Sequence, residues 1–148
     1  MRRFDRRASN GRGVGLRAVA LAAALIFASA APALAEVPLD PGQTATVRLS
    51  FQRDLVYPVA PPFTQPPANH GAILGIDIDE PGRYHVALGA DGWIDLIRDG
   101  KALAAAGEGR GAPGSDIAKI VDFDLPVGHY TIALSGMAAG EVAITVGR

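Results

Sequence analysis

The sequence predicts an all-β chain: a single small antiparallel β-sandwich of Greek-key or jelly-roll type, preceded by an export leader. Three observations carry the prediction. Beyond residue 35 the chain is a succession of short runs in which apolar and polar residues alternate with period two. Proline–glycine turn signals separate those runs at short intervals. No stretch in this region shows ten or more residues with apolar recurrence at three and four, the pattern a helix would need.

Residues 1–35 read as a secretory signal peptide. Arg2, Arg3, Arg6, Arg7, Arg12 and Arg17 make a basic start in which Asp5 is the only acid. The 13-residue apolar run 18–30 fits a leader core and is short for a membrane span. Ala33 and Ala35 place small side chains at the –3 and –1 subsites of a signal peptidase, so cleavage is expected after Ala35, leaving Glu36 first. The arginine pairs keep a twin-arginine route for folded chains open, but neither has the full set of surrounding residues, and export of an unfolded chain is the expectation. The destination is the periplasm or the medium, with no stable membrane insertion after cleavage.

The expected mature domain, 36–148, is 113 residues long, enough for one hydrophobic core. Pro41-Gly42 opens into a strand over 44–51, and 55–59 reads as an edge strand interrupted by Pro58. Residues 60–70 hold four prolines and read as an extended loop. Hairpin-like strands follow at 71–78, 83–88 and 93–98, the last meeting Asp99-Gly100, a signal for a tight two-residue turn. Residues 105–116 read as irregular, and strands resume at 117–125, 129–135 and 142–146. Two segments share a theme, IDIDEPGRYHVAL and VDFDLPVGHYTIAL: an aspartate pair, a proline–glycine turn, then a tyrosine.

Charge and composition narrow the function classes. The whole chain has 14 basic and 15 acidic residues; without the six leader arginines and Asp5, 8 face 14, a formal charge near –6. So acidic a domain, lacking a basic stripe, is a poor partner for nucleic acid. The chain has no cysteine, which removes thiol nucleophiles, thiolate metal sites and disulfides.

Candidate chemistry is sparse. A hairpin of 83–88 with 93–98 would bring Asp95 near His85, a pair able to tune a base or hold a metal. Trp93 with Tyr84 and Tyr130 would make a sugar-stacking platform if exposed, and a core cluster if not. Asp77, Asp79 and Glu80 gather before a turn, where calcium, a hard cation with oxygen ligands, is the cofactor they suit; otherwise they are solvated turn carboxylates. Ser50, Ser115 and Ser135 lie in no nucleophile motif. Asp122 and Asp124 are expected to face water while Val121, Phe123 and Leu125 face the core.

The tracks YHVALGADGWIDLIRDGKAL (84–103) and KIVDFDLPVGHYTIALSG (119–136) resemble a family of small exported β-rich proteins of sphingomonad-type bacteria. The resemblance covers about half of the expected mature chain. Some members carry the label homogentisate 1,2-dioxygenase, which implies a larger cupin enzyme holding iron with two histidines and a carboxylate. His70, His85 and His129 here form no His-x-His or His-x-x-Glu spacing, and the stretch 107–116 lacks the histidines and cysteine of the family pattern. The leading expectation is therefore a non-catalytic exported domain that binds a periplasmic or envelope protein or component. A carbohydrate- or small-ligand-binding module and a metal-dependent or hydrolytic enzyme are the alternatives.

Overall fold

The computed structural model describes residues 36–62 and 69–148, an all-β structure of two packed, open sheets. The expected leader and its cleavage point at Ala35 lie outside the described residues, as does the middle of the proline-rich loop. The strands are β1 (Val37–Leu39), β2 (Thr44–Arg48), β3 (Ser50–Phe51), β4 (His70–Ile78), β5 (Gly82–Leu88) and β6 (Trp93–Arg98). They continue with β7 (Lys101–Ala102), β8 (Gly107–Gly109), β9 (Lys119–Leu125), β10 (Gly128–Met137) and β11 (Glu141–Gly147). The first sheet has the order β1-β4-β10-β6-β7, with β3 also on β4; the second runs β2-β11-β5-β9-β8.

The core lies between the sheets and is built by the period-two pattern. Leu74, Ile76 and Ile78 of β4, Ile132 and Leu134 of β10, and Leu96 of β6 meet Val86 and Leu88 of β5, Val121 and Phe123 of β9, and Ile144 of β11. On β9 the expected alternation holds: Val121, Phe123 and Leu125 are buried, Asp124 is exposed and Asp122 is half-buried. A smaller apolar cluster, Ile73, Ile97 and Ala133, sits on the outer face of the first sheet under Tyr57 and Val59.

Several sequence expectations are corrected. The run 44–51 is two strands, because the chain leaves the second sheet after Arg48 and joins the first at Ser50. Residues 55–59 are not an edge strand but a strap across the first sheet, where the Tyr57 hydroxyl donates to the Leu134 carbonyl at 2.9 Å. Pro58 accounts for this, since it cannot donate to a ladder. Gly71 lies directly beneath; a Cβ there would collide with the Tyr57 hydroxyl and the Leu134 carbonyl. Burial pushes the Tyr57 phenol up to about 12. Strand β8 forms inside the stretch expected to be irregular, and β1, for which the sequence gives no expectation, pairs parallel with β4, so the sandwich is not wholly antiparallel.

The largest correction concerns connectivity. Strands β4, β5 and β6 do not form hairpins; they alternate between the sheets, as do β9, β10 and β11. The Asp99-Gly100 turn does make the expected hairpin, pairing Arg98 with Lys101, with φ of 51° and 72° at its two central residues.

The two similar segments found in the sequence are the crossings from one sheet to the other. In each, a tyrosine hydroxyl donates to the carbonyl four residues back: Tyr84 to Glu80 at 2.8 Å and Tyr130 to Pro126 at 2.6 Å. Both are tyrosine corners, a device that fixes a strand where it changes sheet. An arginine covers each ring, Arg148 over Tyr84 and Arg98 over Tyr130. The glycine two residues before each tyrosine, Gly82 or Gly128, leaves the guanidinium room to sit there.

Candidate functional site

The outer face of the first sheet carries the densest polar cluster among the described residues. On adjacent strands, His129 of β10 is in register with Asp77 of β4, which sets Nδ1 2.7 Å from Asp77 Oδ1. Ahead of β1, Glu36 reaches over the same face. Its Oε2 lies 2.9 Å from His129 Nε2, and its Oε1 accepts the Thr131 hydroxyl at 2.5 Å. Gly75 makes room for this: a Cβ there would stand 2.6 Å from Glu36 Oε2.

Both imidazole nitrogens of His129 face carboxylate oxygens, so both must donate, and the charged imidazolium is the form that fits. Asp77 first, and Glu36 second, raise its pKa through these hydrogen bonds. A raised histidine contributes stability that is fully present below its unfolded value near 6.5 and is lost as pH rises through the folded value. The expected result is that the stability difference between wild type and His129→Gln, read from urea unfolding, shrinks with rising pH above about 6.5. A difference that stays constant with pH would remove this role from the cluster.

The second sheet has a counterpart. His85 of β5 is in register with Asp122 of β9, and Nδ1 lies 2.6 Å from Asp122 Oδ1. One step along, Arg83 grips Asp124 with Nε and Nη2 at 2.9 and 3.1 Å. The Arg83 hydrogen bond and charge hold the Asp124 carboxyl below its usual range.

These contacts place the residues singled out in the sequence at separate points. His85 does not meet Asp95. Asp95 is in register with Ala133 on the outer face of the first sheet, whereas His85 is on the second sheet. Trp93 is half-buried on the same outer face as Asp95, in register with Ser135, with the Lys119 ammonium 5.0 Å from its ring. Tyr84 and Tyr130, at 4% and 1% exposure, are core residues and present no ring to solvent beside Trp93. Asp77 is taken by His129 and Glu80 by Arg148, while Asp79 sits exposed at the turn. Among the described residues, no group of three or more His, Cys, Asp and Glu side chains is placed to hold a metal ion.

An apolar notch on the free edge of β4 had no signal in the sequence. On that edge β1 pairs with residues 74–76 and β3 with residues 70–71, so Ala72 and Ile73 have a strand partner only on the β10 side. The gap is a groove of about 220 Å³ lined by Val37, Leu55, Val56, Gly71, Ala72 and Ile73 together with the polar residues Arg48, Ser50 and Asp54. Val37 is 52% and Val56 70% exposed, and Phe51, at the end of β3, is 40% exposed. A reading by periodicity finds buried faces; it has no means of finding a gap between two short strands on one edge.

No described helix is long and apolar enough to cross a membrane. Comparison of the chain with protein-family models, curated proteins and solved structures finds no match.

Proposed function

We propose that this chain is an exported, non-catalytic binding domain of jelly-roll-like topology, delivered to the periplasm or the medium, that holds an extended apolar segment of an envelope or periplasmic protein. The notch in the β4 edge carries this reading. A sheet edge with unpaired backbone accepts a peptide by strand addition, and apolar side chains beside it supply pockets for alternate residues of the incoming strand. Here the unpaired step at Ala72 and Ile73 lies beside exposed Val37 and Val56. The alternation of successive strands between two sheets supports the jelly-roll assignment.

The polar clusters support a non-catalytic role. Both ring nitrogens of His129 are held by carboxylates, and the ion pairs of His85 and Arg83 lie on an open sheet face rather than in a cleft. The acidic mature composition supports a protein partner over nucleic acid.

The test is capture of partners from the native envelope fraction on the mature domain and on its Val56→Asp variant. The variant is expected to fold with stability within about 0.5 kcal/mol of wild type, since the side chain is exposed. Its affinity for the captured protein should fall roughly ten- to hundredfold, because a charge then faces the apolar strand. Equal capture by both proteins would place the binding surface elsewhere.

A further inference from the structure

Strand addition at the β4 edge needs more room than the structure leaves. Between β3 on residues 70–71 and β1 on residues 74–76, only Ala72 and Ile73 lack a partner on that side. Two residues of ladder do not outweigh the conformational entropy lost by the chain that forms them. With β1 removed, the open edge would extend over residues 72–78, to the end of the strand.

Along its length β1 is weakly attached. It has three residues and lies parallel to β4, the less stable form of pairing. Pro38 at its centre carries no N–H. Val37 and Pro38 are exposed, and only Leu39 packs against the core. The turn that follows is pinned separately, since the Gly42 N–H donates to the Val146 carbonyl at 2.6 Å, so β1 can leave without unseating β2. A side chain holds β1 at its start. Glu36 Oε2 faces His129 Nε2 and Oε1 accepts from the Thr131 hydroxyl, over a space that Gly75 keeps open.

That seat specifies its occupant. His129 and Thr131 both offer donors, and the imidazolium is cationic, so a carboxylate is the group that satisfies them. Three residues on, Leu39 fills an apolar position at the margin of the core. We propose that β1 is a placeholder: a partner strand enters at the notch, displaces β1 and copies its contacts, setting a carboxylate on His129 and Thr131 and an apolar side chain three residues on. This rests on the reading of the β4 edge as the binding site, and it specifies the segment that edge takes.

The probe is a synthetic peptide with the sequence of residues 36–43, fluorescently labelled at its C-terminus and titrated into the purified chain. In wild type it competes with tethered β1, whose effective concentration is on the order of millimolar. Glu36→Ala weakens the tethered copy alone, so that chain should bind the peptide roughly tenfold more tightly than wild type does. A peptide in which alanine replaces the glutamate should lose this gain. On a His129→Gln/Thr131→Val chain the seat is gone, and the two peptides should bind alike. Glu36→Gln, with a smaller gain, serves if Glu36→Ala does not fold by circular dichroism. Glu36→Ala binding the peptide no better than wild type, or binding both peptides equally, would overturn the inference. Capture from the envelope fraction separates it from the reading beneath. A protein lost on Val56→Asp but held equally by wild type and Glu36→Ala would overturn displacement of β1 and leave the binding edge standing. Equal capture by Val56→Asp and wild type would remove the binding edge itself.

Discussion

Replacing Leu134 by Ala is expected to cost about 3 kcal/mol, the middle of the range for truncating a buried leucine to alanine. Leu134 is fully buried, and its strand, β10, lies between β4 and β6 inside the first sheet. Its side chain belongs to the cluster where both sheets meet, so the space left by three missing carbons cannot collapse without moving strands that are hydrogen-bonded on both sides. No disulfide holds the denatured chain together, so apolar burial and sheet hydrogen bonds carry the stability and the loss should be felt in full. Urea unfolding reads it directly; in heat the same loss should lower the midpoint by on the order of 10–15 °C. Thr46→Ala, on the exposed side of edge strand β2, is the control and should stay within about 0.5 kcal/mol of wild type. A cost below about 1 kcal/mol for Leu134→Ala would mean that the two sheets are not packed on each other as described.

Tyr130→Phe should cost about 2 kcal/mol and Tyr84→Phe about 1 kcal/mol, because the two corners differ in what the lost hydroxyl was serving. The Tyr130 hydroxyl donates to the Pro126 carbonyl at 2.6 Å and accepts from Arg98 Nη1 at 2.9 Å. Removing it leaves a part-buried carbonyl and a guanidinium N–H each short of a partner. The Tyr84 hydroxyl has the single bond to the Glu80 carbonyl, while Arg148 is held separately by the Glu80 carboxylate. The phenylalanine rings keep the apolar contacts, so the core is not cavitated and the difference isolates the hydroxyl. Adding Arg98→Ala distinguishes the explanations: in the Tyr130→Phe background it should cost less than in wild type, since the bond it breaks is already gone. Equal costs in the two backgrounds would show that Arg98 and Tyr130 are energetically independent.

The candidate sites show where a reading of the chain reaches its limit. Nearness in sequence pairs His85 with Asp95 only on the premise that consecutive strands make hairpins. His85 instead meets Asp122, 37 residues away, since β5 lies beside β9 and β6 belongs to the other sheet. His129 meets Asp77 across 52 residues and Glu36 across 93. In each case an aspartate–histidine pair joins one of the similar segments to the other: Asp77 with His129, and Asp122 with His85. The resemblance between those segments was visible in the sequence. What it encodes, two sheet crossings each closed by a tyrosine, depends on the three-dimensional placing of the carbonyls four residues back.

By itself the sequence determined the class of structure and the facing of most strands, as well as the cysteine-free chemistry. Alternation in 119–125 specifies which side chains go inward, because a strand has two faces and burial selects the apolar one. The Asp99-Gly100 turn was equally legible, since its backbone conformation is a local property of two residues. Tertiary structure alone decided which strands are neighbours, that Pro58 marks a strap rather than an edge strand, that a notch opens between β1 and β3, and that Glu36 is clasped by His129 and Thr131. The physical reason is the same throughout. Facing is set by residues two apart along one strand, whereas pairing is set by the best joint burial of all the apolar faces at once, a condition on the whole chain that no local window contains.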